Sequence, residues 1–247
     1  GEPFAGGAAG PRVQFVRDFH LDGDLDGDGC DEVVVLLGAT GGGSGEILHL
    51  AVVARRESRW QNVATKPIGD RVQVRAARIA GANIVLDVVQ AGTNDALCCP
   101  GDLVKRTWML RPAGLEEASA VIGGRLGLEV LMGVEWVLDS WAWDEPVTPG
   151  TEVTLVLQGS RITGTSGCNR YTATANAGTV RGDLRVGPVA GTRRACAEPA
   201  MAVESRFQSQ LEGVTKFGFI AGQLAFTFQK DGVLGTMLFT GRAPRQE

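Results

Sequence analysis

The chain has 247 residues, a formal net charge of -4 and a pI near 5.4, with 44% apolar residues. That acidic balance, with Lys and Arg scattered along the chain, argues against nucleic acid as a partner, because phosphate binding is driven by clustered cations. The length has room for two ordinary domains, and 35 glycines beside a single tyrosine favour many short strands joined by tight turns.

Residues 13–19 read as a first strand. They lead into Asp22-Gly23-Asp24-Leu25-Asp26-Gly27-Asp28-Gly29-Cys30-Asp31-Glu32, which places six carboxylates in eleven positions. Like charge at that density is repulsive, and a hard cation with oxygen ligands is the usual remedy. With Asp24 at position one, carboxylates fall at one, three, five and nine (Asp24, Asp26, Asp28 and Glu32), Gly29 stands at six, and a strand over 33–37 follows. The loop resembles the Asp-x-Asp-x-Asp-Gly calcium loops of EF-hands, and more closely those of FG-GAP-type repeats, where a strand follows the loop. Val35 occupies position twelve, so the bidentate Glu of an EF-hand is missing. The resemblance implies a structural Ca2+ that ties two strands together; a solvated acidic turn that holds cations weakly is the competing reading.

Gly38 to Gly45 is glycine-rich, yet it lacks the Lys and the following helix of a phosphate-binding loop and reads as a hairpin loop before a strand over 46–53. Further strands are predicted at 60–66, 72–79, 84–89 and 103–110, with Gly- and Asn-containing turns between them. Cys98 and Cys99 precede the last of these and offer the partner for Cys30, through either sulfur; a bond between the two adjacent cysteines, acting as a redox switch, is the alternative. Zinc is disfavoured, since there is no Cys-x-x-Cys and neither His20 nor His49 stands at ligand spacing. Residues 1–111 therefore read as an antiparallel β meander or sandwich, and 112–130, rich in Gly, Ala and Glu without a period of two, as a linker.

The second domain, 131–247, opens with a strand over 134–141. An alternating segment at 151–157 and its partner at 161–165 form a hairpin about Gly159-Ser160. Ser166-Gly167-Cys168-Asn169-Arg170-Tyr171 follows, and Thr192-Arg193-Arg194-Ala195-Cys196 answers it downstream. Gly164 and Gly167 mark sharp bends or the close approach of another backbone. Strands are predicted at 171–175, 180–186, 214–220, 224–228 and 233–239. One helix stands out: Pro199 suits a first turn, Glu198 and Glu204 favour its N-terminal half, Ala200, Val203, Phe207 and Leu211 share a face, and Gly213 ends it.

These motifs, with Trp136-x-Leu138 near the front, resemble the META domain, the HslJ-like family of bacterial envelope proteins, from about residue 131 to 241. The resemblance implies a curved antiparallel sheet crossed by one helix, so the whole chain is expected to be mainly β (α+β) with two domains. It implies Cys168 and Cys196 as a disulfide, whose 28-position loop adds on the order of 3 kcal/mol. It also implies export to the periplasm or, as a lipoprotein with a lipidated cysteine ahead of Gly1, to the outer membrane, which would be the chain's only membrane attachment. The family has no established reaction and is associated with heat shock and antibiotic resistance. Gly167, Asn169, Arg170, Tyr171, Thr192 and Glu204 read first as an anchoring turn and second as a polar recognition site. Glu204 is placed to pair with Arg193 or Arg194, or to remain solvated beside them.

A catalytic site is not expected, because two histidines, one within an apolar strand, do not assemble a nucleophile, a base and a charge-stabilising group. The expected protein is non-catalytic, acts through contacts with envelope proteins or in stress tolerance, and carries Ca2+ structurally. The alternative is a binding module for a lipid or other hydrophobic ligand, with Trp136, Trp141, Trp143, Phe217 and Phe219 lining a groove.

Overall fold

The computed structural model describes residues 11–41, 45–96 and 98–244 and divides into two compact units, Gly1–Arg125 and Leu126–Glu247. Strands dominate both, every strand pairing between named strands is antiparallel, and one α-helix is present among the described residues. No helix of the described residues is long and apolar enough to cross a membrane.

The first unit holds two four-stranded meanders. One joins β1 (Arg12–Gly23), β2 (Glu32–Thr40), β3 (Glu46–Arg56) and β4 (Arg59–Asp70); the other joins β5 (Gln73–Ala80), β6 (Asn83–Gln90), β7 (Asp102–Arg111) and β8 (Gly114–Arg125). Strand β2 alternates buried and half-buried positions along its length, as a period of two requires when one face meets a core. Val34, Leu36, Leu50 and Val52 fill that core in the first sheet, and Ile84, Leu86, Val88, Val104 and Trp108 in the second. The β3–β4 connection is a two-residue turn in which Glu57 and Ser58 both take positive φ, 49° and 66°, matching the twist of the strands it joins.

Strand β8 overturns the linker expected at 112–130. It pairs with β7 from Arg111↔Gly114 to Asp102↔Arg125. Leu115 is buried, but every residue from Glu116 to Gly123 is exposed. A strand held by its backbone ladder, with neither face covered, has no reason to alternate apolar and polar residues. The period of two was therefore missing for a physical reason.

The second unit winds one sheet in the order β14-β13-β12-β11-β9-β18-β17-β16. Its strands are β9 (Glu135–Trp141), β11 (Thr154–Gln158), β12 (Arg161–Thr165), β13 (Arg170–Ala177), β14 (Leu184–Val186), β16 (Val214–Ile220), β17 (Gln223–Lys230) and β18 (Val233–Arg242). Two short strands, β10 (Glu145–Pro146) and β15 (Ala190–Gly191), attach to β9 and β13. The sheet curves until its ends nearly meet: Asp183 bridges Lys216, and Phe217 N–H donates to Gly182 O at 2.8 Å. Of the strand expected over 180–186 only Leu184–Val186 forms, because residues ahead of it fold into a turn closed by Asp183 N–H to Val180 O.

Helix α1 (Glu198–Glu212) crosses this sheet. Pro199 lies in its first turn, where a missing N–H costs nothing, and Gly213 caps its end. Val203, Glu204, Phe207 and Leu211 are its buried residues, spaced to fall on one stripe. Phe207 meets Tyr171 edge-on at 5.2 Å, and Phe226 meets Phe239 likewise at 5.3 Å. Trp136 donates its indole N–H to Leu131 O, in a 3-10 turn (Leu128–Leu131) that precedes the sheet.

Candidate functional site

The residues of the Ser166–Tyr171 motif converge on helix α1. The turn between β12 and β13 carries Ser166, Gly167, Cys168 and Asn169, and the segment after β15 brings Thr192 and Arg194 against it. Asn169 is fully committed. Its Oδ1 accepts from Thr192 Oγ1 (2.7 Å) and Arg194 N–H (2.8 Å), while its Nδ2 donates to Arg194 O and Glu204 Oε1, both at 3.0 Å. Its backbone N–H donates to Glu204 Oε2 at 2.8 Å, and its carbonyl accepts from Ser166 N–H at 2.8 Å. Ser166 Oγ completes the set, donating to Glu204 Oε2 at 2.8 Å.

Glu204 thus faces three donors, from Ser166 and Asn169, and meets neither alternative expected for it, a guanidinium of Arg193 or Arg194 or a solvated position beside them. Arg194 takes part through its backbone alone. Burial explains the choice, since Ser166, Asn169 and Glu204 are 0%, 2% and 8% exposed and a carboxylate there must be met by fixed donors close at hand. Through these bonds Glu204 ties the motif turn to helix α1.

Two glycines make the packing possible. A Cβ on Gly164 would collide with the Thr154 carbonyl. Gly167 has φ +102°, and a Cβ there would stand 3.2 Å from Ala200 O and from Val203 Cγ1, both on helix α1. Tyr171, on β13, is buried and donates its hydroxyl to Thr154 O at 2.9 Å; burial raises the phenol well above its ordinary range, so it remains a donor. Arg170 is exposed. Cys168 and Cys196 are bonded, with Cα atoms 6.0 Å apart, and tie the motif turn to the segment leading into α1.

The acidic loop between β1 and β2 brings Asp24, Asp26 and Asp28 together, one carboxylate oxygen of each lying within 4.8 Å of the others. The turn is shaped by its own backbone: Asp24 accepts from Gly27 and Gly29 N–H, Asp26 from Asp28 N–H, and Asp28 from Cys30 N–H. Arg56, at the end of β3, donates to Asp26 at 3.0 Å and to Asp28 at 3.3 Å, and these carboxylates raise its guanidinium pKa further. Nothing in the sequence marked Arg56 as the counter-charge. Glu32 does not join the aspartates: it is 1% exposed and accepts from Leu25 N–H at 2.8 Å, pinning the loop to the start of β2. The three aspartates suit a hard, oxygen-seeking cation, with Arg56 as its competitor.

The pairing expected for Cys30 is corrected. Cys30 is free and exposed in the acidic loop, whereas Cys98 and Cys99 are bonded to each other between β6 and β7. The loop bearing Cys30 belongs to one sheet and the adjacent pair to the other. The Asp28 carboxylate, first among its causes, raises the Cys30 thiol pKa and so favours the protonated form.

His20 is exposed, 3.7 Å from Asp22, and His49 Nδ1 lies 3.2 Å from Ile47 O. Of the aromatic residues expected to line a groove, Trp136, Trp141, Phe217 and Phe219 are buried in the core of the second unit, and Trp143 is 57% exposed. A cleft of about 370 Å³ does open in the first unit, beside Ile68, Gln90, Arg106, Glu117 and Ala120. Its buried guanidinium, on Arg106, is held bidentately by Glu117 and donates to Ile68 O. Pattern reading does not reveal this pair, because its two halves lie on neighbouring strands eleven residues apart.

None of the curated proteins matches the chain. Two solved structures are similar over 47% of it: an NMR structure of a protein from Burkholderia xenovorans (26% identity, 86% of that chain, TM-score 0.38) and a second NMR structure (22% identity, 94% of that chain, TM-score 0.38). The META domain model matches residues 129–238, close to the span expected from the motif, so the C-terminal part of the chain carries a META domain.

Proposed function

We propose that this is a non-catalytic, exported protein of the bacterial envelope that acts through protein contacts, with both of its polar clusters serving architecture. The observation that carries this reading is the saturation of the Asn169 cluster. Every hydrogen-bonding group of that side chain is used internally, and the Glu204 carboxylate receives three donors, which leaves no group turned toward a substrate. The Cys168–Cys196 bond supports an oxidising compartment, where such links persist. Periplasmic location or outer-membrane anchoring through a lipid, and a part in stress tolerance, belong to the same reading and follow the META domain match at 129–238.

Calcium enters the proposal as a structural ion at Asp24, Asp26 and Asp28, displacing Arg56 and bracing the β1–β2 connection. Support comes from the convergence of three carboxylates on a turn already ordered by its own backbone. A pull-down from native envelope, with and without chelator, tests the whole reading. A reproducible envelope-protein partner whose capture weakens with chelator is expected. Turnover of a small substrate by the purified chain, with no partner recovered, would overturn it.

A further inference from the structure

The adjacent pair Cys98–Cys99, between β6 and β7, belongs to neither polar cluster. We infer that it is a thiol-exchange site whose reaction partner is a dithiol, and that it is reduced ahead of the Cys168–Cys196 bond. Three features carry this. The Cα atoms of Cys98 and Cys99 are 3.8 Å apart, the spacing that a trans peptide imposes on neighbours, and below the roughly 4.4–6.8 Å in which a disulfide sits comfortably. Cys168 and Cys196, at 6.0 Å, lie inside that range. Bonds pressed outside it are the more easily reduced.

Second, the pair straddles the surface. Cys98 is exposed, whereas Cys99 is 7% exposed and continues into buried Pro100 and Gly101. An incoming thiolate therefore meets the Cys98 sulfur first. Third, the surroundings are held by other bonds besides the disulfide. Gly101 N–H donates to Gln90 O, Cys99 N–H to Ala96 O, and Arg125 ties Asp95 to Asp102 across the same connection.

The exchange balances. A thiolate of the partner attacks Cys98 Sγ and forms a mixed disulfide while the Cys99 sulfur leaves as thiolate. The partner's second thiol then attacks its own sulfur in that mixed disulfide and releases Cys98. Two electrons and two protons pass to the pair, and the partner departs as a disulfide.

The test is graded dithiothreitol on the folded full-length chain, quenched with N-ethylmaleimide and mapped by mass spectrometry. Cys30, free already, takes label without reductant and serves as the internal standard. Labelling of Cys98 and Cys99 together is expected at a dithiothreitol concentration at least about tenfold below that needed for Cys168 and Cys196. Cys99→Ser provides a second reading: Cys98 should then take label with no reductant, and the exchange should vanish. Label on both residues of the wild-type chain before any reductant is added would overturn the inference, as would their release only together with Cys168 and Cys196.

Discussion

Removing the Tyr171 hydroxyl with Tyr171→Phe keeps the ring against Phe207 but leaves the Thr154 carbonyl, buried under it, without that donor. A loss of about 1–3 kcal/mol is expected, read from urea denaturation of the C-terminal unit. Gly167→Ala should cost a similar amount by a different route, since φ of +102° and the nearness of helix α1 oppose any side chain there. The sequence made Asn169, Gly167 and Tyr171 legible as an anchoring turn because Asn and Gly carry their conformational meaning locally. It did not reveal the partner of Glu204. The winning donors, Ser166 and Asn169, are neutral and lie 38 and 35 positions away, whereas pattern reading favours the opposite charges of Arg193 and Arg194. Burial decided the matter, and burial of a single side chain is not written in its neighbours.

Among the elements, helix α1 was readable to its last residue because its stripe, its first-turn Pro and its terminal Gly agree. Strand β8 was not, since a strand exposed on both faces carries no alternation. The acidic loop sits between these cases: its spacing announced a cluster, and the structure adds Arg56 and withdraws Glu32. Ca2+ should raise the melting temperature of the N-terminal unit by a few degrees, and Arg56→Ala should enlarge that rise, because the ion no longer competes with a guanidinium. No response to Ca2+ in either protein would reduce the loop to a turn balanced by Arg56.

At the other end of the same unit, the Arg125 guanidinium, then the Gly92 N–H, hold the Asp95 carboxyl below its usual range. A lowered folded-state pKa contributes stability above the unfolded carboxylate value and loses it as pH falls through the folded one. The wild-type unit should therefore weaken below about pH 4, and Asp95→Asn should flatten that acid limb, as a pH series of denaturation curves would show.

The molecule divides into two compact units, one holding the acidic loop and the other the Cys168–Cys196 bond. Strong reduction of the Cys168–Cys196 bond should lower the C-terminal transition by about 2–4 kcal/mol and leave the N-terminal one in place, while chelator should do the reverse. A single transition shifted equally by both treatments would contradict that separation. Two domains were expected from the chain's length and the span of the motif; the units meet at Arg125 and Leu126, because β8 extends the first unit into the expected linker.

Under the proposed function, the buried cluster around Asn169 secures the fold and performs no chemistry. Groups kept for binding or catalysis commonly cost a protein stability, so removing them leaves the fold unchanged or firmer, whereas removing a saturated structural hub does the opposite. Asn169→Ala strands Thr192 Oγ1, Arg194 N–H and one oxygen of Glu204 at once. The decisive measurement is urea denaturation of that variant with the two units followed separately by hydrogen exchange. A loss of about 3 kcal/mol or more, confined to the C-terminal unit, is the predicted result; unchanged or increased stability of that unit would contradict the claim.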